Sequence, residues 1–130
     1  MTEAQQTTPY ALMGGEQAII SLVDRFYFYM DTRPEAKALR AIHAPDLNPV
    51  KEKLVKFLSG WLGGPDLFVQ EYGHPRLRQR HFPFQVDTQM RDQWMWCMQK
   101  ALYEVSMPDA LRKNILQALS DLATHMINTE

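Results

Sequence analysis

The sequence predicts an all-α fold, and two observations carry that prediction. Several segments place apolar residues three and four positions apart, which puts them on one face of a helix. No segment shows the alternation of apolar and polar residues that is typical of a half-buried strand. Glycine pairs and prolines, at Gly14-Gly15, Gly63-Gly64 and Pro108, divide these segments into separate helices.

Length and composition indicate one domain. The chain has 130 residues, of which 45% are hydrophobic, enough to bury a core. We expect residues 1–12 to form a polar N-terminal extension and the start of a short helix, and residues 13–130 to form a single domain. The single cysteine, Cys97, cannot form an intramolecular disulfide, so we expect a cytoplasmic protein. A net charge of -1 and the lack of a long apolar run argue against nucleic acid and membrane partners.

In the first half of the chain, helices are predicted from their apolar faces and their end signals. A short helix opens at Pro9, and a long one follows from about Glu16 to Asp31. A second short helix is expected over Ala36 to Ile42. Asn48 is the expected cap of the next helix, with Pro49 at its first position. The apolar faces of the two longer helices are Ile19, Leu22, Val23, Phe26, Tyr27 and Met30, and then Val50, Leu54, Phe57, Leu58 and Trp61.

The second half begins with a proline-rich stretch, from Pro65 to Asp87, that predicts short helical pieces and loop. Asp87 or Thr88 is expected to cap a long helix that carries Trp94 and Cys97. The run Ser106-Met107-Pro108-Asp109 resembles a capping box, which predicts the start of the final helix.

The segment from His74 to Phe84 carries the strongest indication of function. His81 is followed by Phe82 and Phe84, an apolar surrounding in which a neutral imidazole can ligate a metal. Arginines 76, 78 and 80 precede it and can neutralise carboxylates on a ligand. Haem has these properties: an iron atom, an apolar macrocycle and two propionates.

The sequence lacks the residues that zinc binding and covalent haem attachment require. Zinc would need three or four ligands, yet the sequence has no cysteine pair and no His-x-x-x-His. Covalent haem attachment needs Cys-x-x-Cys-His, which is missing. Among the other histidines, His74 and His125 are expected to be loop, surface or structural residues. For His43, a capping role and a cavity-lining donor role both stay open.

An ordered set of motifs resembles the truncated haemoglobins, and within them group II. The resemblance covers about Met13 to Asn128. The motifs are Gly14-Gly15, Arg25-Phe26-Tyr27, Trp61-Leu62-Gly63-Gly64-Pro65, Gly73-His74-Pro75-Arg76-Leu77-Arg78-Gln79-Arg80-His81 with Pro83-Phe84, and Arg91-Asp92-Gln93-Trp94 with Cys97-Met98.

The resemblance implies a truncated globin fold, a two-over-two helical sandwich that encloses non-covalent haem b. His81 would be the proximal iron ligand. Tyr27 falls on the distal tyrosine of the family, Trp94 on the group II tryptophan, and His43 on a position that is often tyrosine or histidine. Val50 stands where many globins carry a polar distal residue, so Tyr27, Trp94 and His43 would be the donors left.

The same resemblance implies the remaining haem contacts. Leu54 would be an apolar gate beside the ligand, and Phe57 and Leu58 would pack on the macrocycle, with Phe84 on the side of His81. The expected propionate partners are Tyr72, Arg76, Arg80 and Lys53.

Dioxygen and other diatomic ligands, NO and CO, are the expected partners of such a site. Two or three donors imply slow oxygen release, which favours ligand chemistry or sensing over transport. Turnover of nitric oxide with dioxygen and reduction of peroxide both stay open, as do a reductase partner, a monomeric or homodimeric state, and closure of Tyr27 or His43 onto the iron. The competing hypothesis is a haem-free helical protein-interaction module.

Overall fold

The computed structural model describes residues 8–76, 79, 81 and 86–128, and within them it contains helices and no strand. The predicted all-α class is confirmed. The helices are α1 (Pro9–Met13), α2 (Glu16–Thr32), α3 (Lys37–Ala41), α4 (Asn48–Trp61), α5 (Leu67–Tyr72), α6 (Thr88–Tyr103) and α7 (Asp109–His125), with a 3₁₀ turn at Pro34–Ala36. None of these helices is long and apolar enough to cross a membrane.

Helix α2 lies at the centre of the core. It packs against α6 and α4, and α6 packs against α7. The apolar face predicted for α2 is buried at every position: Ile19, Leu22, Val23, Phe26, Tyr27 and Met30. Burial of this broad face supplies the main favourable term in folding.

The start of α6 agrees with the sequence, whereas the start of α4 differs by one position. Asp87 caps α6, and its Oδ1 accepts the Met90 N–H at 2.9 Å. Asn48 is the first residue of α4 rather than its cap. The Asn48 N–H is donated to Oδ1 of Asp46 at 3.0 Å, so an aspartate two residues earlier satisfies it.

The capping box predicted at the start of α7 does not form. Pro108 occupies the cap position and makes no side-chain cap bond. In the same connection, Arg112 donates to the carbonyls of Leu102 at 3.1 Å and Val105 at 2.9 Å. These carbonyls lie at and just after the end of α6, where helix carbonyls have no partner within the helix. A long side chain from α7 therefore joins the two helices.

Helix α1 packs on the end of α4 through two glycines. A Cβ atom at Gly64 would lie 2.5 Å from the Tyr10 ring, and one at Gly63 would lie 2.8 Å from Thr8. The Tyr10 N–H is donated to the Leu62 carbonyl at 2.9 Å. Residues 8–12, which the sequence assigns to the start of the chain outside the domain, thus contact the domain closely.

The only cysteine, Cys97, is fully buried on α6. Burial raises the pKa of its thiol to about 12, so the thiol stays protonated at neutral pH. The side chain acts as a small core residue.

Replacement of Arg112 tests how the α6–α7 connection is held. Arg112→Met keeps an apolar stem and removes the bonds to both carbonyls, so we expect the free energy of unfolding to fall by about 2 kcal/mol. The control Ser106→Ala removes the hydroxyl of the predicted capping box and should change stability by less than about 0.5 kcal/mol. Guanidinium unfolding followed by circular dichroism measures both, and a larger loss in Ser106→Ala would contradict this account.

Candidate functional site

Three of the predicted distal residues lie close together around Phe26. The Phe26 ring lies 4.9 Å from the Tyr27 ring and 5.1 Å from the Trp94 ring. The His43 and Tyr27 rings are 6.2 Å apart in an edge-on arrangement. Helices α2 and α6 and the turn after α3 therefore bring Tyr27, Trp94 and His43 to one place.

The Tyr27 hydroxyl has no hydrogen-bond partner among the described residues, although the side chain is only 5% exposed. Among the described residues, every side-chain nitrogen or oxygen that is fully shielded from solvent has a hydrogen-bond partner. Because the Tyr27 hydroxyl has no partner, it is not fully shielded and borders a space that solvent can enter. Burial raises the pKa of Tyr27 far above that of a free tyrosine. The hydroxyl is therefore a protonated donor that is available to a ligand.

His43, whose ring lies beside that of Tyr27, offers an acceptor. Its Nδ1 lies 2.8 Å from the Leu39 carbonyl, which can only accept, so Nδ1 carries the proton. Burial, with smaller effects of Arg40 and His81, lowers the pKa of His43 and favours the neutral ring. A neutral ring with the proton on Nδ1 has a lone pair on Nε2.

Two side chains hold the turn that carries His43. Gln93 on α6 accepts the Leu39 N–H at 2.9 Å through Oε1. Arg40 donates to the carbonyls of Ala44 and Pro45, each at 3.0 Å. The backbone around His43 is thus fixed relative to the residue that precedes Trp94.

Helix α4 contributes an apolar surface that is incompletely covered. Val50, Leu54 and Phe57 are half-buried and pack against the core, whereas Leu58 is 1% exposed and lies within it. Phe57 also contacts Trp61 in a stacked arrangement at 6.4 Å. The first three residues are free to contact a further apolar group.

His81 lies in a turn and is half-buried. A small electrostatic effect of His81 contributes to the lowered pKa of His43. The segment after α5 thus places His81 within electrostatic range of His43.

The predicted propionate partners separate into two groups. Lys53 on α4 and Tyr72 on α5 are adjacent, with the lysine Nζ 5.6 Å from the tyrosine ring centre. Arg76 is exposed, and its backbone has a left-handed φ of 45°. Arg80 and Phe84 lie outside the described residues, so their predicted contacts stay predictions.

Three residues near the site have roles that the sequence did not indicate: Arg40, Gln93 and Asn128. Asn128 donates through Nδ2 to the His81 carbonyl at 3.2 Å. Each acts on backbone groups, and no local pattern marks such contacts.

Comparison with known proteins identifies the family. The model for bacterial-like globins matches residues 8–128. The group 2 truncated hemoglobin YjbI of Bacillus subtilis is 37% identical over 92% of this chain and 88% of its own length. The group II 2-on-2 haemoglobin of Agrobacterium tumefaciens is 40% identical, with a TM-score of 0.95 over 99% of this chain and 100% of that chain. The truncated oxygen-avid haemoglobin of Bacillus subtilis is 36% identical, with a TM-score of 0.86 over 94% and 100% of the two chains.

The fold and these matches define a globin, a haem protein that binds small ligands. Within the bacterial-like globins, the chain belongs to the truncated haemoglobins of group II, with their two-on-two helical fold. The residues present fit haem: a histidine for the iron, a half-buried apolar face on α4, and an unpartnered hydroxyl for a bound ligand.

The lowered pKa of His43 predicts a pH effect. Because the folded protein favours the neutral ring, the unfolded chain binds more protons between the lowered pKa and the ordinary value of about 6.5. Stability should therefore fall as the pH decreases through that window. An NMR titration of the His43 ring in the diamagnetic carbon monoxide form should give a midpoint below 6.5, with His43→Gln as the assignment control. A midpoint above the ordinary value would contradict the assigned environment.

Proposed function

We propose that His81 ligates the iron of a non-covalently bound haem b, and that Tyr27 and Trp94 donate hydrogen bonds to a diatomic ligand. The supporting observation is the nearly buried Tyr27 hydroxyl, which has no partner among the described residues, with the His43 ring 6.2 Å from the Tyr27 ring. Haem supplies an iron atom that binds dioxygen, NO or CO. The protein residues supply the donors and exclude water.

In this proposal His43 is an acceptor rather than the donor considered from the sequence. Its Nδ1 proton is engaged by the Leu39 carbonyl, which leaves Nε2 to accept from the Tyr27 hydroxyl or from a ligand that carries a proton. The Tyr27 hydroxyl therefore has two alternative acceptors, His43 and the ligand. Of the three predicted donors, Tyr27 and Trp94 remain.

The apolar residues of α4 strengthen these hydrogen bonds. Val50 offers no donor, and Leu54 and Phe57 present hydrocarbon next to the site. Donors held in a water-poor cavity stabilise developing negative charge more than the same groups in water. Leu58 lies in the core, so we assign it a supporting role behind Phe57.

Haem is held here without a thioether bond. The only thiol, Cys97, is buried in the core on α6 and has no Cys-x-x-Cys-His context. Retention then depends on His81, on apolar burial and on the propionates. For the propionates, Lys53 and Tyr72 form one adjacent pair, and Arg76 and Arg80 remain the other proposed partners.

Two donors predict slow release of oxygen. If each contributes about 1.5 kcal/mol, as for a hydrogen bond to a charged group, release slows by roughly two orders of magnitude. A relative at 36% identity is described as oxygen-avid, which supports this direction. Long retention favours oxygen and nitric oxide chemistry over delivery, with a reductase as the partner that would supply electrons.

The haem-free interaction module is not favoured. Membership of the truncated haemoglobins implies haem, and the apolar face of α4 is explained by that ligand. Absorbance separates the two hypotheses directly, because the module would show no Soret band after haem is added.

Replacement of His81 tests iron ligation. His81→Gly should remove the five-coordinate histidine signature of the ferrous protein, because it removes the proposed iron ligand. Added imidazole should restore the signature, since it supplies the same ligand without the peptide link. The measurements are the ferrous absorption spectrum and the iron–histidine Raman band. An unchanged band in His81→Gly, with His125→Gly as the matched control, would refute the assignment.

Replacement of Tyr27 tests the distal donor. Tyr27→Phe removes only the hydroxyl, so we expect oxygen dissociation to accelerate about tenfold, as for the loss of about 1.5 kcal/mol. Tyr29→Phe is the matched control, because Tyr29 lies on the same helix but contacts Trp96 with its ring 6.0 Å away. Stopped-flow release of oxygen measures both, and equal rates in the two variants would remove Tyr27 from the donor role.

A further inference from the structure

Asn128 makes three hydrogen bonds to the segment that carries His81. Its Nδ2 donates to the His81 carbonyl at 3.2 Å, and its Oδ1 accepts the Val86 N–H at 2.9 Å. Its own backbone N–H is donated to the Val86 carbonyl at 2.8 Å. One residue thus binds both ends of the span from His81 to Val86.

The carboxamide is oriented by its oxygen end. Because Oδ1 accepts the Val86 N–H, the Nδ2 end of the amide is directed towards His81, where it donates to the His81 carbonyl. The assignment of oxygen and nitrogen in this side chain is therefore fixed by a donor on one side and an acceptor on the other.

Asn128 is itself anchored in the helical body. It follows Met126, which is 8% exposed at the end of α7, and α7 packs on α6. Val86 is 7% exposed and directly precedes Asp87, the cap of α6. The backbone of His81 is thus connected through Asn128 to the end of α7 and to the start of α6, the helix that carries Trp94.

We infer that Asn128 is a positioning residue for His81: it fixes the main chain of the histidine and so the height and angle at which the imidazole meets the iron. This inference rests on the proposed role of His81 as the iron ligand. Asn128 acts on the histidine through the His81 carbonyl and not through haem or the ligand.

Two substitutions of Asn128 distinguish its side-chain bond to Val86 from its side-chain bond to His81. Asn128→Asp keeps an oxygen for the Val86 N–H but loses the donor to the His81 carbonyl. Asn128→Ala loses both side-chain bonds. Asn114→Asp is the matched control, because it adds the same charge at an exposed position of α7. Since Asn128 lies beyond the end of α7, circular dichroism should show unchanged helix content in all three variants.

The decisive measurement is the iron–histidine stretching band in the Raman spectrum of the ferrous protein. The rate of haem transfer to an acceptor apoprotein is a second measurement. We expect Asn128→Asp and Asn128→Ala to shift or broaden the band and to speed haem loss about fivefold, as for loss of one ordinary hydrogen bond. Asn114→Asp should match the unmodified protein in both measurements.

Two outcomes would overturn the inference. If Asn128→Asp behaves like Asn114→Asp, the bond to the His81 carbonyl does not position the ligand, even where Asn128→Ala is altered through loss of the Val86 bond. If the unmodified protein shows no iron–histidine band, the proposed function fails and takes the inference with it. The band of the unmodified protein therefore distinguishes the two failures.

Discussion

The contact between Phe26 on α2 and Trp94 on α6 is the interaction on which the rest of the site depends. It lies in the central helix pair of the core, with ring centres 5.1 Å apart. Tyr27 follows Phe26 in sequence and Gln93 precedes Trp94, so packing of the two rings also places a hydroxyl and an amide. Groups fixed in this way need little reorganisation when charge develops on a ligand.

Side chains that are distant in sequence provide hydrogen bonds to backbone groups that have no partner within a helix. Arg112 joins the end of α6 to α7, Gln93 holds Leu39, and Asn128 holds His81 and Val86. In each case the bonded backbone group lies at the edge of a helix or in a turn, where regular helical partners are missing. The short elements around the site thus gain order from the long helices, which are stable through core packing.

The parts of the fold that were predictable depend on local pattern. The buried face of α2 and the cap at Asp87 were both predicted correctly, because periodicity and capping act within a few residues. The capping box before α7 was wrong because Pro108, which has no side-chain acceptor, takes the cap position, so Ser106 lies two residues too early to cap the helix. Gln93 and Asn128 were missed as contacts, since they reach backbone groups 54 and 42 residues away. The proton on Nδ1 of His43 could not be predicted, because it depends on the Leu39 carbonyl, which lies near the ring only in the folded turn.

The burial of Cys97 gives the protein an intrinsic reporter. Its sulfur is fully buried in the core on α6 and is protonated at neutral pH, so a thiol-specific reagent can reach and modify it only when the core around α6 opens. With one cysteine in the chain, every labelling event marks the same opening. The rate of labelling would thus measure how often the core around α6, the helix that also carries Trp94, opens under native conditions.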